Sequence, residues 1–459
     1  MKREGSAAID VTEGVIWKQL LTLCIPIFFS SFFQQAYALI NTYVLGQFGG
    51  KAALGGVQST MTLSELCVGF CVGLGAGCAV VTGQYFGQHD RERLSRSVHT
   101  AMTFALLLGI GFSVCGVLFA EPMLRLLDTP SELLAEAVAY ARCYFAAMVF
   151  TLVMNMGTAL LRAVGDTRGP AVIIASGCVF NVLFDLVFVV LFRLEALGCG
   201  IATALTIALN CSMIVFRMMR ADGAWRLKPA ALGIDGAIFR NMISCGLPLG
   251  IQSAAYSISN LLVQVSVNGF GADATTGWGL AGRLDCFIWM VVEALGVALT
   301  TFAAQNFGAR KYDRMRAGYR SSLIMAFVIV GSMSIALYAF VEPLSRFFVN
   351  DDGVVSFTTV MIHYVAPFYA VFSIVENTSG LMRGSGVSFQ PMALTIVGTC
   401  LLRVLWVLVI LPLLPVVETL LLVYPVTWTV TAVLFLVYYR FGSWLSRASS
   451  RAEKMDLAI

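Results

Sequence analysis

The sequence predicts an all-α polytopic membrane protein, with twelve transmembrane helices in two pseudo-symmetric six-helix bundles. Three observations lead there: a composition too poor in charge for a water-facing surface, apolar runs of spanning length, and an internal repeat.

Hydrophobic residues fill 58% of the 459 positions and charged residues 12%, with a mean hydropathy of +0.83. Soluble domains carry roughly 25% charged residues, so this chain must meet lipid. Lipid leaves backbone polar groups no water to bond, and only helices or closed barrels then span. Barrel strands read as alternating segments of about ten residues. The apolar runs here extend for about 20 to 28 residues, the length of a spanning helix. Polar breaks place the twelve spans near 17–45, 55–84, 97–119, 133–161, 169–192, 197–219, 240–269, 277–304, 319–341, 354–382, 388–412 and 417–440. The widest internal polar stretch, Arg220–Asp235, falls near the midpoint. The expected organisation is therefore a six-helix lobe over 1–219, a linker over 220–239, a second lobe over 240–441 and a tail over 442–459. The segment before the first span is short and polar, without a cleavage site, and that span is expected to be retained.

Lys and Arg orient the spans. One set of connections holds Arg91, Arg93 and Arg96; Arg162 and Arg168; Arg217, Arg220, Arg226 and Lys228; Arg310, Lys311, Arg314, Arg316 and Arg320; Arg383; and the tail residues Arg440, Arg447, Arg451 and Lys454. The opposite set holds only Lys51, Arg125, Arg193 and Arg346, beside Glu121, Asp128, Glu132, Asp351 and Asp352. The first set is expected on the cytoplasmic side of an inner membrane, with both termini. No basic cluster interleaved with aromatics suggests nucleic acid. The twelve cysteines sit mostly singly in apolar runs and read as small packing residues.

The repeat is carried by four motif pairs. Pro26 after Cys24 matches Pro248 after Gly246, and Gln84-Tyr-Phe-Gly87 matches Gln305-Asn-Phe-Gly308. Glu121-Pro122 matches Glu342-Pro343. Leu161-Arg162-Ala-Val-Gly165, with Pro170 downstream, matches Met382-Arg383-Gly-Ser-Gly386, with Pro391 downstream. All recur in order at an offset of about 221 or 222 residues. Six spans per repeat is an even number, so the halves insert with the same orientation, as in parallel-repeat transporters. Gly69, Gly73, Gly75 and Gly77 put small residues along the second span, where they permit close helix approach.

These residues together resemble the multidrug and toxic compound extrusion (MATE) transporters, over essentially the whole chain. The resemblance implies a V-shaped two-lobed fold working by alternating access. It also implies export of amphipathic, often cationic compounds by antiport against protons or sodium.

Ionisable groups inside a membrane are functional candidates by default. Asn181 and Asp185 in the fifth span share one helical face at i, i+4 spacing. Asp185 can take up a proton or, with neutral oxygens, ligate sodium. In one branch of the family the site comprises such a pair, an Asp in the first helix and a Thr in the sixth. The matching positions are Asn181, Asp185, Asn41 and Thr203, a possible Na+ site. Asn41 departs from the family's Asp, leaving Asp185 as the principal acid. Gln34, Met154 and Asn155 are expected to face the same substrate cavity, and so are Asp285 and Glu293 in the second half. Glu376, in the tenth span, is a second coupling candidate because other family members carry an acid in that helix. Arg403 must find a partner, for which Asp285 is at a plausible depth; Glu65 has none evident. His363 reads as a packing residue, His89 and His99 as solvated. Phe28, Phe29, Phe32 and Phe33, with Met154 and Met156, offer soft aromatic and thioether surfaces.

No cofactor is expected beyond the coupling ion, and no obligate protein partner: a monomer among membrane lipids. The alternative function is a flippase for a lipid-linked or polyprenyl-type substrate, which would need a more basic cavity than one mid-membrane Arg403 supplies. No Walker loop or His-Glu-x-x-His motif supports an enzyme or an ATP-driven pump, and no pore-loop signature supports a channel.

Overall fold

The computed structural model describes the backbone of residues 8–48, 50–126 and 130–457. It describes their side chains except at 50–56, 58–66, 131, 132, 451, 452 and 454–457, so Glu65 and Lys51 lie outside the described residues. Helices follow one another along the chain: α1 (Ile16–Phe48), α2 (Gly50–Gly87) and α3 (Arg91–Leu126), then α4, formed by Ser131–Ala146 and Met148–Ala163. Next come α5 (Arg168–Leu191), α6 (Glu195–Met219), α7 (Gly236–Asn268) and α8 (Ala272–Gly308). The series closes with α9 (Tyr312–Phe348), α10 (Asp352–Gly384), α11 (Phe389–Leu413), α12 (Val417–Phe441) and α13 (Trp444–Leu457).

Ten of these are long and apolar enough to cross a membrane, and eleven when the two parts of α4, bent by 46°, count as one span. The helix α7, at 33 residues, has the length but stands apart because Gln252, Ser253, Ser257, Asn260 and Gln264 dilute its apolar run. An all-α, polytopic, multi-pass membrane fold is thus in place.

The repeat is visible in backbone detail. Gly165 (φ 86°) and Gly386 (φ 83°) end their helices in the left-handed region that glycine tolerates. In both, two hydrogen bonds close the helix end: Gly165 N to Arg162 O and Asp166 N to Leu161 O, both 2.9 Å, against Gly386 N to Arg383 O at 2.8 Å and Val387 N to Met382 O at 3.0 Å. His89 and Arg310 form the same closure after α2 and α8 with φ of 57° and 58°. Arg125 pairs with Glu121, and Arg346 with Glu342, at the matching ends of α3 and α9.

The chain forms two compact units, but the cut is not at one point. Unit 1 holds Ile25–Gly250 with the segment ending at Asp10; unit 2 holds Val11–Cys24 with Ile251–Ile459. Pro26 and Pro248 stand just beside the two crossing points in α1 and α7. Inside unit 1 the start of α7 joins the core through Ile238, Met242 and Cys245, packed with Cys78, Val98 and Met102. It fits because glycines meet: a Cβ on Gly73 would fall 2.5 Å from Gly250 N. Inside unit 2 the segment before α1 is held by Val11 N donating to Gln305 Oε1 at 3.0 Å, and the first turn of α1 by Arg314 donating to Gln19 Oε1 at 2.7 Å.

The linker folds onto unit 1 and corrects one expectation. His99 is 4% exposed rather than solvated. Its Nδ1 lies 2.7 Å from Ser95 O, and its Nε2 accepts from Lys228 N at 3.0 Å, so a neutral imidazole uses both ring nitrogens. His89, by contrast, is exposed and lies 3.8 Å from Asp10. All twelve cysteines are free and eight are buried, in keeping with a packing role.

Candidate functional site

Unit 1 gathers four of the residues singled out in the sequence. Asn181 and Asp185, both fully buried, lie on α5; Asn41 comes from α1 and Thr203 from α6. The Asn41 amide, turned to suit its neighbours, donates to Asn181 Oδ1 and Asp185 Oδ2, and to the Tyr37 carbonyl at 3.2 Å. Its other end lies 3.4 Å from Thr203 Oγ1. Asn181 Nδ2 donates to Thr206 Oγ1 at 3.3 Å. The second carboxylate oxygen, Asp185 Oδ1, is buried and has no hydrogen-bond partner among the described residues.

Backbone geometry changes at this point. The helix α5 is α-helical up to Asp185 and then widens into a π turn over Leu186–Leu191. Such turns recur at functional sites because they re-aim side chains. Beside the cluster lies a cavity of about 20 Å³ bordered by Gln34, Tyr37, Met154, Asn181, Thr203 and Asn210. That is room for about one water or one bare cation. Carboxylate, amide, hydroxyl and carbonyl oxygens are the ligands a hard cation takes, so the donor set fits sodium as well as a proton.

Gln34 and Met154 border this cavity as expected; Asn155 is half-buried and is not among its lining residues. Sequence reasoning missed Tyr37, Thr206 and Asn210. Their helical spacing held the signal: Tyr37 is one turn before Asn41, and Thr206 and Asn210 continue the face of Thr203. The Phe28, Phe29, Phe32 and Phe33 rings meet edge to face or tilted along α1, with Phe29 exposed, and none borders the cavity.

Unit 2 arranges its charges differently. Asp285 is buried and accepts from Tyr369 Oη at 2.7 Å and Trp289 Nε1 at 3.0 Å. Glu293, two turns on in α8, is exposed, so the two acids do not share one environment. Arg403 does not pair with Asp285: it donates to Asn260 Oδ1 and lies over the Tyr424 and Tyr256 rings. Glu376 forms an ion pair with Arg383, one helix end further on. His363 stacks on Tyr338 at 4.1 Å and bonds its own unit's backbone at Tyr338 O, a packing role.

A twice-repeated, multi-pass helical fold whose buried polar cluster centres on one membrane carboxylate defines the class: a membrane transporter rather than an enzyme. The MatE family profile matches residues 26–187 and again 248–409, well over half of the chain, and the chain belongs to that family. The two matches are 222 residues apart at both ends, within one residue of the offset of the motif pairs. Among curated proteins it is similar to the "Probable multidrug resistance protein YoeA" of Bacillus subtilis (strain 168), 27% identical over 83% of this chain and 84% of that one. It is also similar to the "FAD transporter" of Shewanella oneidensis, 25% identical over 87% of each. Among solved structures, an outward-facing multidrug resistance MATE family transporter of the MOP superfamily superposes with a TM-score of 0.87 at 18% identity, over 98% of this chain and 99% of that one.

Proposed function

We propose that the protein is a secondary-active exporter of amphipathic, often cationic compounds, in which Asp185 couples transport to a proton or sodium gradient by alternating access. The observation that carries this reading is the orphaned, buried Asp185 Oδ1 in the polar cluster of Asn41, Asn181 and Thr203, beside a cavity with room for about one ion. A carboxylate buried this way is costly until it binds a proton or a cation. Ion uptake therefore changes which packing of α1, α5 and α6 is favoured, and a ligand with different affinity for two states shifts their balance. The several relatives named for multidrug resistance or export support the substrate class, and one relative is named an FAD transporter. Glu376, the other acid considered for coupling, is left out of this reading because Arg383 already matches its charge. The basic connections support cytoplasmic termini.

The test is efflux from proteoliposomes under separately imposed proton and sodium gradients. Wild type should respond to one of them, and Asp185→Asn, inserted at the same level, to neither. Gradient-driven efflux that survives in Asp185→Asn would remove this residue from the mechanism.

A further inference from the structure

Unit 2 buries a charge that ion coupling at Asp185 does not use. Arg403 is 0% exposed. Its Nη1 donates to Asn260 Oδ1, and the guanidinium carbon lies 4.6 Å from the Tyr424 ring centre and 5.4 Å from that of Tyr256. Its Nε and Nη2 have no hydrogen-bond partner among the described residues. A guanidinium stays charged in any surroundings. The tyrosine faces temper that charge but give the in-plane N–H groups nothing to donate to. Asp285 is committed to Tyr369 and Trp289.

The uncommitted edge, Nε with Nη2, is the fork that receives a carboxylate or phosphate through two parallel hydrogen bonds. Its cover is thin, since Asn260 is exposed and Tyr256 and Tyr424 are only half-buried. An unmatched charge at membrane depth marks a substrate or ion path.

Repeat correspondence adds a second observation. The two family matches are offset by 222 residues at both ends, and at that offset Arg403 falls opposite Asn181. The corresponding helix thus carries an amide beside a carboxylate in unit 1 and a guanidinium in unit 2.

We propose that Arg403, with Asn260, is an anion-receiving subsite in unit 2 that binds the carboxylate or phosphate group of a transported amphipathic compound. The subsite rests on the transport reading but not on coupling at Asp185.

The test is equilibrium binding, without any gradient, to the purified full-length protein. The probes are a fluoroquinolone carrying its carboxylate and the same compound decarboxylated. Wild type should prefer the carboxylate by about tenfold or more, the scale of a charge-assisted pair, and inorganic phosphate should compete. Arg403→Met should bind both probes equally. Asn260→Asp, which sets an internal carboxylate against Nη1, should weaken the carboxylate probe selectively. Equal affinities in wild type, or a preference that persists in Arg403→Met, overturn the proposal. Should Arg403→Met fail to fold, the wild-type comparison and Asn260→Asp decide alone. Asp185→Asn should keep the carboxylate preference while losing gradient-driven efflux, which separates failure of this subsite from failure of the coupling reading.

Discussion

The Asn41 amide in α1 donates at once to Asn181 and to Asp185 in α5. One side chain thereby ties α1, which begins in unit 2 and continues in unit 1, to the carboxylate proposed to bind the ion. Asn41→Leu keeps the volume and removes the bonds donated to Asn181, Asp185 and the Tyr37 carbonyl. It is expected to lower stability by about 1–3 kcal/mol, the cost of leaving buried acceptors unpaired, and to reduce gradient-driven efflux at least tenfold. Thermal unfolding in detergent and proteoliposome efflux measure the two effects. An unchanged melting temperature with unchanged efflux would show the contact to be idle.

How much of this was legible in the sequence follows from what is local. The repeat, the spans and the pairing of Asn181 with Asp185 were readable because helical spacing and lipid chemistry act within one segment. The docking of Val11–Cys24 in unit 2 was not, because α1 reads as one continuous span and hydropathy carries no address. Arg403 was legible as a charge needing a partner, but its contacts with Asn260, Tyr256 and Tyr424 depend on how α7, α11 and α12 pack. His99 read as loop-side and solvated because the linker's return over α3, through Lys228, leaves no mark in the sequence of α3.

Glu376 already faces Arg383, and both are more than three-quarters buried. A carboxylate matched by a guanidinium has little reason to exchange its partner for a sodium ion or a proton. Glu376→Gln is therefore expected to leave the proton and sodium dependence of efflux unchanged while costing about 1 kcal/mol of stability, since the amide still accepts one hydrogen bond. A shifted ion titration in this variant would restore Glu376 as a second coupling site.

The same carboxylate explains a glycine. A Cβ on Gly296 in α8 would fall 2.6 Å from Glu376 Cγ and Oε1. Gly296→Ala should destabilise by about 1–3 kcal/mol, the usual penalty for overpacking. Glu376→Ala, which clears the space, should return much of that loss in the double variant. A double-mutant cycle on thermal stability reads the coupling; additive effects would mean that α8 simply shifts to accommodate the methyl group.

Asp166, 5% exposed at its side chain, serves two partners in unit 1: Oδ2 lies 2.6 Å from Arg217 Nε in α6, and Oδ1 accepts from Gly169 N at 3.0 Å in the first turn of α5. It thus fixes the start of the helix that carries Asn181 and Asp185 about three to four and a half turns later. Asp166→Ala leaves both a partly buried guanidinium and a helix N–H without their acceptor, and about 2–4 kcal/mol of stability should go with them. Asp166→Asn keeps an oxygen for Gly169 and should recover roughly half. Because α5 would then start from a looser anchor, efflux by Asp166→Ala should fall even at temperatures where the protein stays folded, and fall less in Asp166→Asn. Equal activity of the two variants, at matched folded fractions, would show that the anchor supports stability alone and does not position Asp185.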